Sequence, residues 1–271
     1  MNPAPLIAAL PMYDFPETAA ANDALWAAMA ARLRDRGIEA PAHIIRGGDF
    51  ERQWRDPGLI FGQTCGYPFV KELRDEVALI ATPRYAFPGC QGATHRSFII
   101  ARRGDTRRHL GEFRGARAAI NGWTSNTGMN LFRAASAPIA GGEPFFGEVR
   151  VTGSHAASVE AVAEGRADIA AIDCVTYALT SRARPDLAAR VAIVGETPVS
   201  PCLPFIASAR QPPQAIEAVR EALLTALNEP SLAEARETLG LCGASLTSPA
   251  DYDRILKIER AAEAAGYPRL A

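Results

Sequence analysis

The chain has 271 residues, of which 48% are hydrophobic and 22% are charged, and its formal net charge is −1. Its length suits one large domain or two lobes of roughly 100 to 150 residues each. The near-zero charge leaves no field that would attract nucleic acid or anionic lipid, and no apolar run reaches the length of a transmembrane helix. The composition therefore indicates a globular protein and excludes a nucleic-acid reader and a membrane-inserted protein.

Cysteine and histidine follow no disulfide or metal-binding pattern. The five cysteines are an odd number without CxxC spacing: Cys65, Cys90, Cys174, Cys202 and Cys242. The four histidines form no HxH or HExxH motif: His43, His95, His109 and His155. We therefore expect neither a disulfide framework nor a metal site, and no cofactor motif is present.

The N-terminal sequence lacks the features of an export signal. The stretch MNPAPLIAALPMYDF has no basic n-region, and its apolar run from Leu6 to Leu10 is short and flanked by prolines. A signal peptide needs a positively charged start and a longer apolar run. As written, the chain is expected to be cytoplasmic.

The first part of the chain alternates predicted strands and helices. Leu6–Leu10 is the first strand, and an apolar stripe that ends at Gly37 predicts a helix over Thr18–Arg36. Further strands are predicted at Ala42–Ile45, Leu59–Gly62 and Val77–Thr82, with a short helix at Asp49–Trp54. This order indicates a parallel sheet covered by helices.

The remaining elements continue the alternation. Strands are predicted at Ser97–Ala101, at the end of Gly115–Ile120, at Val149–Val151, Asp168–Ile172, Val191–Val194 and Leu203–Ala207. Helices are predicted at Met129–Ala135, Ala157–Ala163, Pro213–Asn228, Pro230–Leu239 and Asp251–Ala265. The chain is therefore assigned to the α/β class, with mainly parallel sheets flanked by helices.

Two extended segments, Thr94–Arg102 and Thr197–Ser208, join the two α/β blocks. They predict a discontinuous first lobe, residues 1–93 plus 203–271, wrapped around a continuous second lobe, residues 94–202. Such a layout places a cleft between the lobes and hinges at both crossings.

The segment from Glu148 to Leu179 holds the most informative pattern. A strand, a polar turn, a helix and a second strand follow one another, with Ser154 and His155 at the first junction and Asp173 at the end of the last strand. Ligands of open parallel sheets bind beyond the carboxyl ends of the strands. The three side chains are therefore predicted to converge, and Asp173 is expected to accept a hydrogen bond from an ammonium or hydroxyl group of the ligand.

A second strand-to-helix junction carries Ser125, Asn126 and Thr127. Backbone N–H groups and the positive end of the helix dipole bind anions at such a position, and hydroxyl groups reach the same oxygens. The alternative is an ordinary helix cap, because these residue types are preferred there for local reasons. For His155 the alternative is an imidazole bonded to backbone.

The first lobe offers Tyr67 and Tyr13 as groups that close over a ligand. Cys65 is interpreted as lining rather than as a nucleophile, because no histidine is near it in sequence. At the first crossing Arg96 is a candidate counter-charge for an anion, and a surface salt bridge is the competing interpretation. No Walker loop, GxGxxG fingerprint, GxSxG elbow or carboxylate pair is present, so we expect a binding protein rather than an enzyme.

As a set, several stretches carry a family resemblance: QTCGYP (63–68), RSFIIARRGD (96–105), NGWTSNTG (121–128), FFGEVRVTGSH (145–155), GRADIAAIDCVTYAL (165–179) and GYPRL (266–270). In them the chain resembles the phosphate/phosphite/phosphonate-binding subunits of ABC importers, which have the type 2 periplasmic binding protein fold. The resemblance implies a two-lobed solute-binding protein with a small, polar, anionic ligand, an ABC permease as partner, and a periplasmic location if the true start lies upstream.

The resemblance also implies site residues. The family's oxyanion loop matches Ser125, Asn126 and Thr127, with Asn126 a departure from a hydroxyl residue, and the family's cleft histidine matches His155. Asp173 resembles the acidic residue that holds a ligand's amino group.

Other functions stay open at this point. One is a heteroaromatic ligand stacked on Tyr67 or Trp123, and another is a cytoplasmic ligand sensor. A third is an enzyme on the same fold, similar to the pyrimidine-precursor synthases; the only lysines, Lys71 and Lys257, lie outside the predicted cleft loops and argue against it.

Overall fold

The computed structural model describes residues 5–271, so the first four residues of the predicted first lobe lie outside it. The chain divides into two compact units. Unit 1 comprises the described residues up to Ala86 together with Pro201–Asp251, and unit 2 comprises Phe87–Ser200 together with Tyr252–Ala271.

The strands are, in chain order, β1 Ile7–Ala9, β2 Leu59–Gln63, β3 Val77–Tyr85, β4 Thr94–His95, β5 Ser97–Arg102, β6 Arg117–Ile120, β7 Glu148–Val151, β8 Ile169–Asp173, β9 Val191–Glu196, β10 Ser200–Pro201, β11 Phe205–Ser208 and β12 Leu241–Ser245. Short β4 and β10 form a separate two-stranded sheet.

The α-helices are α1 Ala19–Asp35, α2 Phe50–Trp54, α3 Gly66–Pro68, α4 Leu131–Ala140, α5 His155–Ala163, α6 Cys174–Ala183, α7 Pro185–Ala188, α8 Pro213–Ala226, α9 Ala233–Leu239 and α10 Asp253–Ala264. Two π-helical turns, Phe69–Leu73 and Asn126–Asn130, and three 3₁₀ turns, Leu110–Phe113, Pro230–Leu232 and Pro249–Tyr252, complete the described secondary structure.

Unit 1 is built on a sheet with the strand order β1-β2-β11-β3-β12. The pair β1 and β2 is parallel, whereas β11 runs antiparallel to both β2 and β3, and β12 runs antiparallel to β3. A mainly parallel sheet was predicted, but this sheet is mixed, because β11 and β12 enter it in the opposite direction to their neighbours. All five residues of β2 are buried, as a central strand covered on both faces requires. Trp26 of α1 stacks on Phe61, which in turn stacks on Phe205, so aromatic packing joins the helix to the sheet.

Unit 2 contains the sheet β7-β6-β8-β5-β9. Strand β6 pairs in parallel with β7 and β8, and β5 runs antiparallel to β8 and β9. Every residue of β8 is buried. Because β6, β7 and β8 point the same way, their carboxyl ends share one edge, and a helical segment begins shortly after each of them.

The C-terminal segment belongs to unit 2, whereas the sequence analysis placed it in the first lobe. The N–H groups of Phe145 and Phe146 donate to the carbonyl oxygen of Ala271 at 2.6 and 2.9 Å. The guanidinium of Arg133 donates to the carbonyl of Pro268 at 2.6 Å. These long-range hydrogen bonds hold the C-terminal segment in unit 2. The local residue pattern does not indicate them, so the sequence could not predict this assignment.

Most predicted elements are present with ends within a few residues of those expected. Ala42–Ile45 is not a strand, although the Ile45 N–H donates to the Ala8 carbonyl at 2.8 Å. Strand β12 was not predicted, because Gly243 interrupts its apolar pattern; with φ at 144° this glycine lies where L side chains rarely go. Within residues 5–271 no helix is both long and apolar enough to span a membrane.

Candidate functional site

Ser125 begins the helical segment that follows β6. Its Oγ accepts a hydrogen bond from the Gly128 N–H at 3.0 Å, so it caps the π-helical turn Asn126–Asn130. The first N–H groups of a helix have no carbonyl partner inside it and attract anions. Ser125, Asn126 and Thr127 are all buried. The predicted strand-to-helix junction is therefore present, and at least one of its hydroxyl groups serves as a cap.

The amide of Asn126 is engaged at both ends. Its Nδ2 donates to Ser200 Oγ at 2.8 Å, and its Oδ1 accepts from Asn130 Nδ2 at 3.1 Å. Asn130 Oδ1 accepts in turn from Arg133 Nη2 at 2.9 Å. Asn126 stands where the family has a hydroxyl residue. Its hydrogen bonds connect the loop to the helical segment that follows and to Ser200.

Thr127 joins the two predicted helix starts. Its Oγ1 lies 2.9 Å from Nε2 of His155, the first residue of α5, and its carbonyl oxygen accepts a hydrogen bond from Ser97 Oγ at 2.9 Å. The structure therefore brings Thr127 and His155 together, although 28 positions separate them in sequence.

His155 is neutral at pH 7. Burial lowers its pKa from 6.5 to about 4; the charge of His95 acts in the same direction, whereas Asp173 and the Ala171 backbone act to raise it. The residue is partly exposed, but its Nδ1 atom is buried and has no hydrogen-bond partner of good geometry among the described residues. A neutral imidazole bonded to Thr127 presents a dipole, not a charge.

Asp173 ends β8 and is buried. Its Oδ1 accepts the Thr176 N–H at 2.9 Å and caps α6, and its Oδ2 lies 3.1 Å from His95 Nδ1. Burial acts to raise the pKa of Asp173, but the nearby charge of His95 outweighs it, with help from His155 and the Thr176 N–H, and the pKa lies below its usual value. Asp173 is therefore an ionised group with partners inside unit 2.

His95 is the partner that sequence reasoning did not identify. It is fully buried, and neither of its ring nitrogens has a hydrogen-bond partner of good geometry in the part of the chain that the structure describes, so its 3.1 Å contact with Asp173 through Nδ1 is an ion-pair contact. The register of β5 against β8 sets Ser97 opposite Asp173, which brings the residue two positions before Ser97 to the carboxylate. This pairing depends on strand register, and no local pattern signals it.

Gly128 allows the loop to approach its neighbours. A Cβ atom at this position would lie 1.9 Å from Asn121 Oδ1 and 3.0 Å from His155 Cε1. Asn121 Oδ1 is itself buried without a hydrogen-bond partner among residues 5–271. Gly128, the last residue of the NGWTSNTG stretch, is thus required by close packing, with no positive φ involved.

Two other predicted residues of unit 2 have partners of their own. Ser154 is exposed and caps α5, accepting the Ala157 N–H at 3.1 Å. The guanidinium of Arg96 forms an ion pair with Glu196. The geometry of Arg96 therefore agrees with the alternative interpretation, a surface salt bridge. Its role as a counter-charge for an anion stays a prediction.

The candidates of the first lobe lie in unit 1. The ring of Tyr67, in α3, has the Lys71 Nζ 5.5 Å from its centroid. Tyr13 is buried and packs edge to face on Tyr85 with ring centroids 5.6 Å apart. Cys65 immediately precedes α3 and is partly exposed.

Tyr85 and Gln63 were not predicted as site residues. Gln63 Nε2 donates to Tyr85 Oη at 3.2 Å and to the Leu203 carbonyl at 3.1 Å. With Tyr13 they line a cavity of about 10 Å³, room for about one water molecule. Sequence reasoning missed Tyr85 because it ended the predicted strand at Thr82, three residues too early.

Among the residues that the structure describes, no group of three or more histidine, cysteine, aspartate or glutamate side chains is placed to hold a metal ion.

Solved structures share the fold at low sequence identity. A binding protein component of an ABC phosphonate transporter from Pseudomonas aeruginosa aligns with a TM-score of 0.75 at 11% identity, covering 97% of this chain and 88% of that one. PhnD1 from Prochlorococcus marinus, in complex with methylphosphonate, aligns with a TM-score of 0.75 at 13% identity, covering 95% and 98%. XAC2383 from Xanthomonas citri bound to chloride aligns with a TM-score of 0.73 at 16% identity, covering 96% and 98%.

These matches confirm the predicted two-lobed α/β fold of type 2 periplasmic binding proteins. No curated protein sequence matches the chain. A family model described as "ABC transporter, phosphonate, periplasmic substrate-binding protein" matches residues 7–252. The resemblance found in the sequence is confirmed, and with it the expectation of a transporter component and not an enzyme. The chain belongs to the family of phosphonate-type periplasmic substrate-binding proteins of ABC transporters.

Proposed function

We propose that this chain is the solute-binding component of an ABC importer, and that it binds a small phosphonate-like oxyanion at Ser125, Asn126, Thr127 and His155. The observation that carries the proposal is the 2.9 Å contact between Thr127 Oγ1 and His155 Nε2. It joins the helical segments that follow β6 and β7, so their N-terminal ends lie side by side. Helix N-termini and hydroxyl groups recognise oxyanions without needing a cation.

The charges of the site support a ligand held by dipoles. His155 is neutral, because burial lowers its pKa to about 4. The Arg96 guanidinium pairs with Glu196, and Asp173 is a buried carboxylate beside His95. A second negative charge on the ligand would add repulsion from Asp173, so singly charged oxyanions, or ligands that carry an amino group, fit this site better than dianions.

Family membership supports the same ligand class. The related PhnD1 was solved with methylphosphonate, and the matching family is described as phosphonate-binding. A permease partner and a periplasmic location follow from that family description and are part of the proposal. Lobe closure over the ligand, expected from the sequence, also stays a prediction.

Isothermal titration calorimetry tests the proposal. The ligands are phosphate, phosphite, methylphosphonate and 2-aminoethylphosphonate, with a pyrimidine and malate as chemically different controls. At least one of the four oxyanions is expected to bind, and Thr127→Ala and His155→Ala are each expected to weaken that binding more than tenfold, about 1.4 kcal/mol. Thr124→Ala is the matched control, because Thr124 lies exposed in the same loop.

Three outcomes test the ligand class, the site and the role of Asp173. Absence of binding for every oxyanion would overturn the ligand class. Unchanged affinity in both Thr127→Ala and His155→Ala would overturn the site. If Asp173 holds an amino group, 2-aminoethylphosphonate binds more tightly than methylphosphonate, and Asp173→Asn, which retains a helix-capping oxygen, removes that preference.

A further inference from the structure

Two cysteines meet in unit 2, outside the contacts of the proposed oxyanion site. The Sγ atoms of Cys90 and Cys174 lie 3.4 Å apart, and both residues are free thiols here. Cys90 lies in the turn near the start of unit 2, and Cys174 is the first residue of α6, directly after Asp173. Although 84 positions separate them in sequence, they are in van der Waals contact.

The backbone on both sides holds the two residues in place. The Cys174 N–H donates to the Arg96 carbonyl at 3.1 Å, and the Cys90 N–H donates to the Phe87 carbonyl at 3.1 Å. Gly89 has a φ of 89°, and a Cβ atom there would lie 2.8 Å from Cys174 Cβ. Only a glycine lets this turn approach α6 so closely.

From this geometry we infer that Cys90 and Cys174 form a disulfide bond under oxidising conditions. A disulfide has an S–S distance of about 2.05 Å, so the sulfur atoms need to approach by a little over 1 Å from their 3.4 Å separation. Rotation of a cysteine side chain about its Cα–Cβ bond moves the sulfur atom by such a distance. The cross-link would connect the turn that contains Cys90 to the start of α6. Asp173, which contacts His95, lies directly before Cys174 at this point.

The reaction is a thiol–disulfide exchange with a small-molecule disulfide as oxidant. Cys90 is partly exposed and Cys174 is fully buried, so the oxidant reaches Cys90 first. The Cys90 sulfur attacks the oxidant, forms a mixed disulfide and releases one thiol. The Cys174 sulfur then attacks the Cys90 sulfur, loses its proton and releases the second thiol. Two protein thiols lose two electrons, and one oxidant disulfide is reduced.

The order of attack agrees with the surroundings of Cys174. The hydrogen bond with Cys90, burial and the nearby Asp173 all raise the pKa of its thiol. Cys174 is therefore a poor first nucleophile, and it reacts only when the activated Cys90 sulfur is already in contact with it.

Peptide mapping tests the inference directly. The folded protein is incubated with glutathione disulfide, its remaining thiols are alkylated, and it is digested with trypsin without reduction. Cys90 lies in the tryptic peptide 85–96 and Cys174 in the peptide 167–182. We expect these peptides as one linked species, and no peptide link that involves the other three cysteines. The Cys242→Ser variant, which lacks the exposed thiol, should show the same link.

Thermal unfolding provides a second measurement. A bond that closes a long loop restricts the unfolded chain, and we expect oxidation to raise Tm by about 5 °C or more. Cys90→Ser should remove the difference between oxidised and reduced protein, whereas Cys242→Ser should keep it.

Two results would overturn the inference. One is alkylation of both Cys90 and Cys174 after exposure to the oxidant. The other is a glutathione adduct that persists on Cys90 with no link to Cys174. The mapping uses the unmodified chain, so its outcome does not depend on whether a variant folds, and it does not depend on the ligand.

Discussion

The two units differ in the kind of polar group that they bury. In unit 1 the buried candidates are neutral: Tyr13 packs on Tyr85, and Gln63 donates to the Tyr85 hydroxyl. In unit 2 the corresponding groups are ionisable, with His155 bonded to Thr127 and Asp173 in contact with His95. Buried neutral groups contribute through packing and single hydrogen bonds, whereas buried charges couple stability to pH. The comparison therefore predicts that the buried polar groups of unit 2 respond to pH and to charge changes, and that those of unit 1 do not.

The largest effect is expected from Asp173→Ala. The substitution leaves His95 buried without its carboxylate and removes the cap of α6. Loss of one partner of a buried pair together with a helix cap predicts destabilisation by about 3 kcal/mol or more, measured by urea unfolding. Ser154→Ala is the matched control, since it removes only an exposed cap and should cost about 1 kcal/mol. Equal losses in the two variants would show that the Asp173 charge contributes nothing.

The next effect is the pH dependence of stability. The pKa of His155 is lowered by burial from 6.5 to about 4, so between these pH values the unfolded state binds more protons than the folded state. Stability should be highest above pH 6.5 and should fall by up to about 3 kcal/mol as the pH drops to 4. The lowered pKa of Asp173 adds a further loss as its carboxylate becomes protonated at still lower pH.

Urea unfolding at a series of pH values measures this dependence. His155→Gln should flatten the curve between pH 6.5 and 4, and His43→Gln, at an exposed position, should leave it unchanged. A wild-type curve as flat as that of His155→Gln would contradict the assignment of His155 as an imidazole that is neutral at pH 7.

Gly128→Ala is expected to have an intermediate effect. Its Cβ would collide with Asn121 Oδ1 at 1.9 Å, and overpacking of this kind costs roughly 1–3 kcal/mol. Gly122→Ala is the control in the same loop, because a Cβ there meets nothing within 4 Å. The double variant Gly128→Ala, Asn121→Ala should regain part of the loss; no recovery would mean that the cost comes from elsewhere in the loop.

The smallest effect is expected in unit 1. Tyr85→Phe removes the oxygen that accepts from Gln63 Nε2, while Gln63 keeps its bond to the Leu203 carbonyl. The expected loss is about 1 kcal/mol, and it should be the same at pH 7 and pH 4.5. A loss that changes with pH in this variant would remove the distinction between the two units.

Much of the candidate site could be predicted from local sequence. Ser125, Ser154 and Asp173 each immediately precede a helical segment that comes after a strand, and all three accept backbone N–H groups as caps. Capping depends on residues three positions apart, so the pattern is visible along the chain. The same holds for most strands and helices, whose apolar periodicity gave their positions and hence the fold class.

The tertiary structure alone decided which distant groups meet. Strand register places His95 beside Asp173, and a glycine turn brings Cys90 to Cys174. Backbone hydrogen bonds attach the C-terminal Ala271 to unit 2. These contacts arise when segments that are far apart in sequence pack against one another. The periodicity of apolar residues along the chain does not predict which segments do so. The sequence by itself therefore determined most of the elements, the caps at the ends of their helices and the family, whereas packing determined the charge of the site and the partners of its residues.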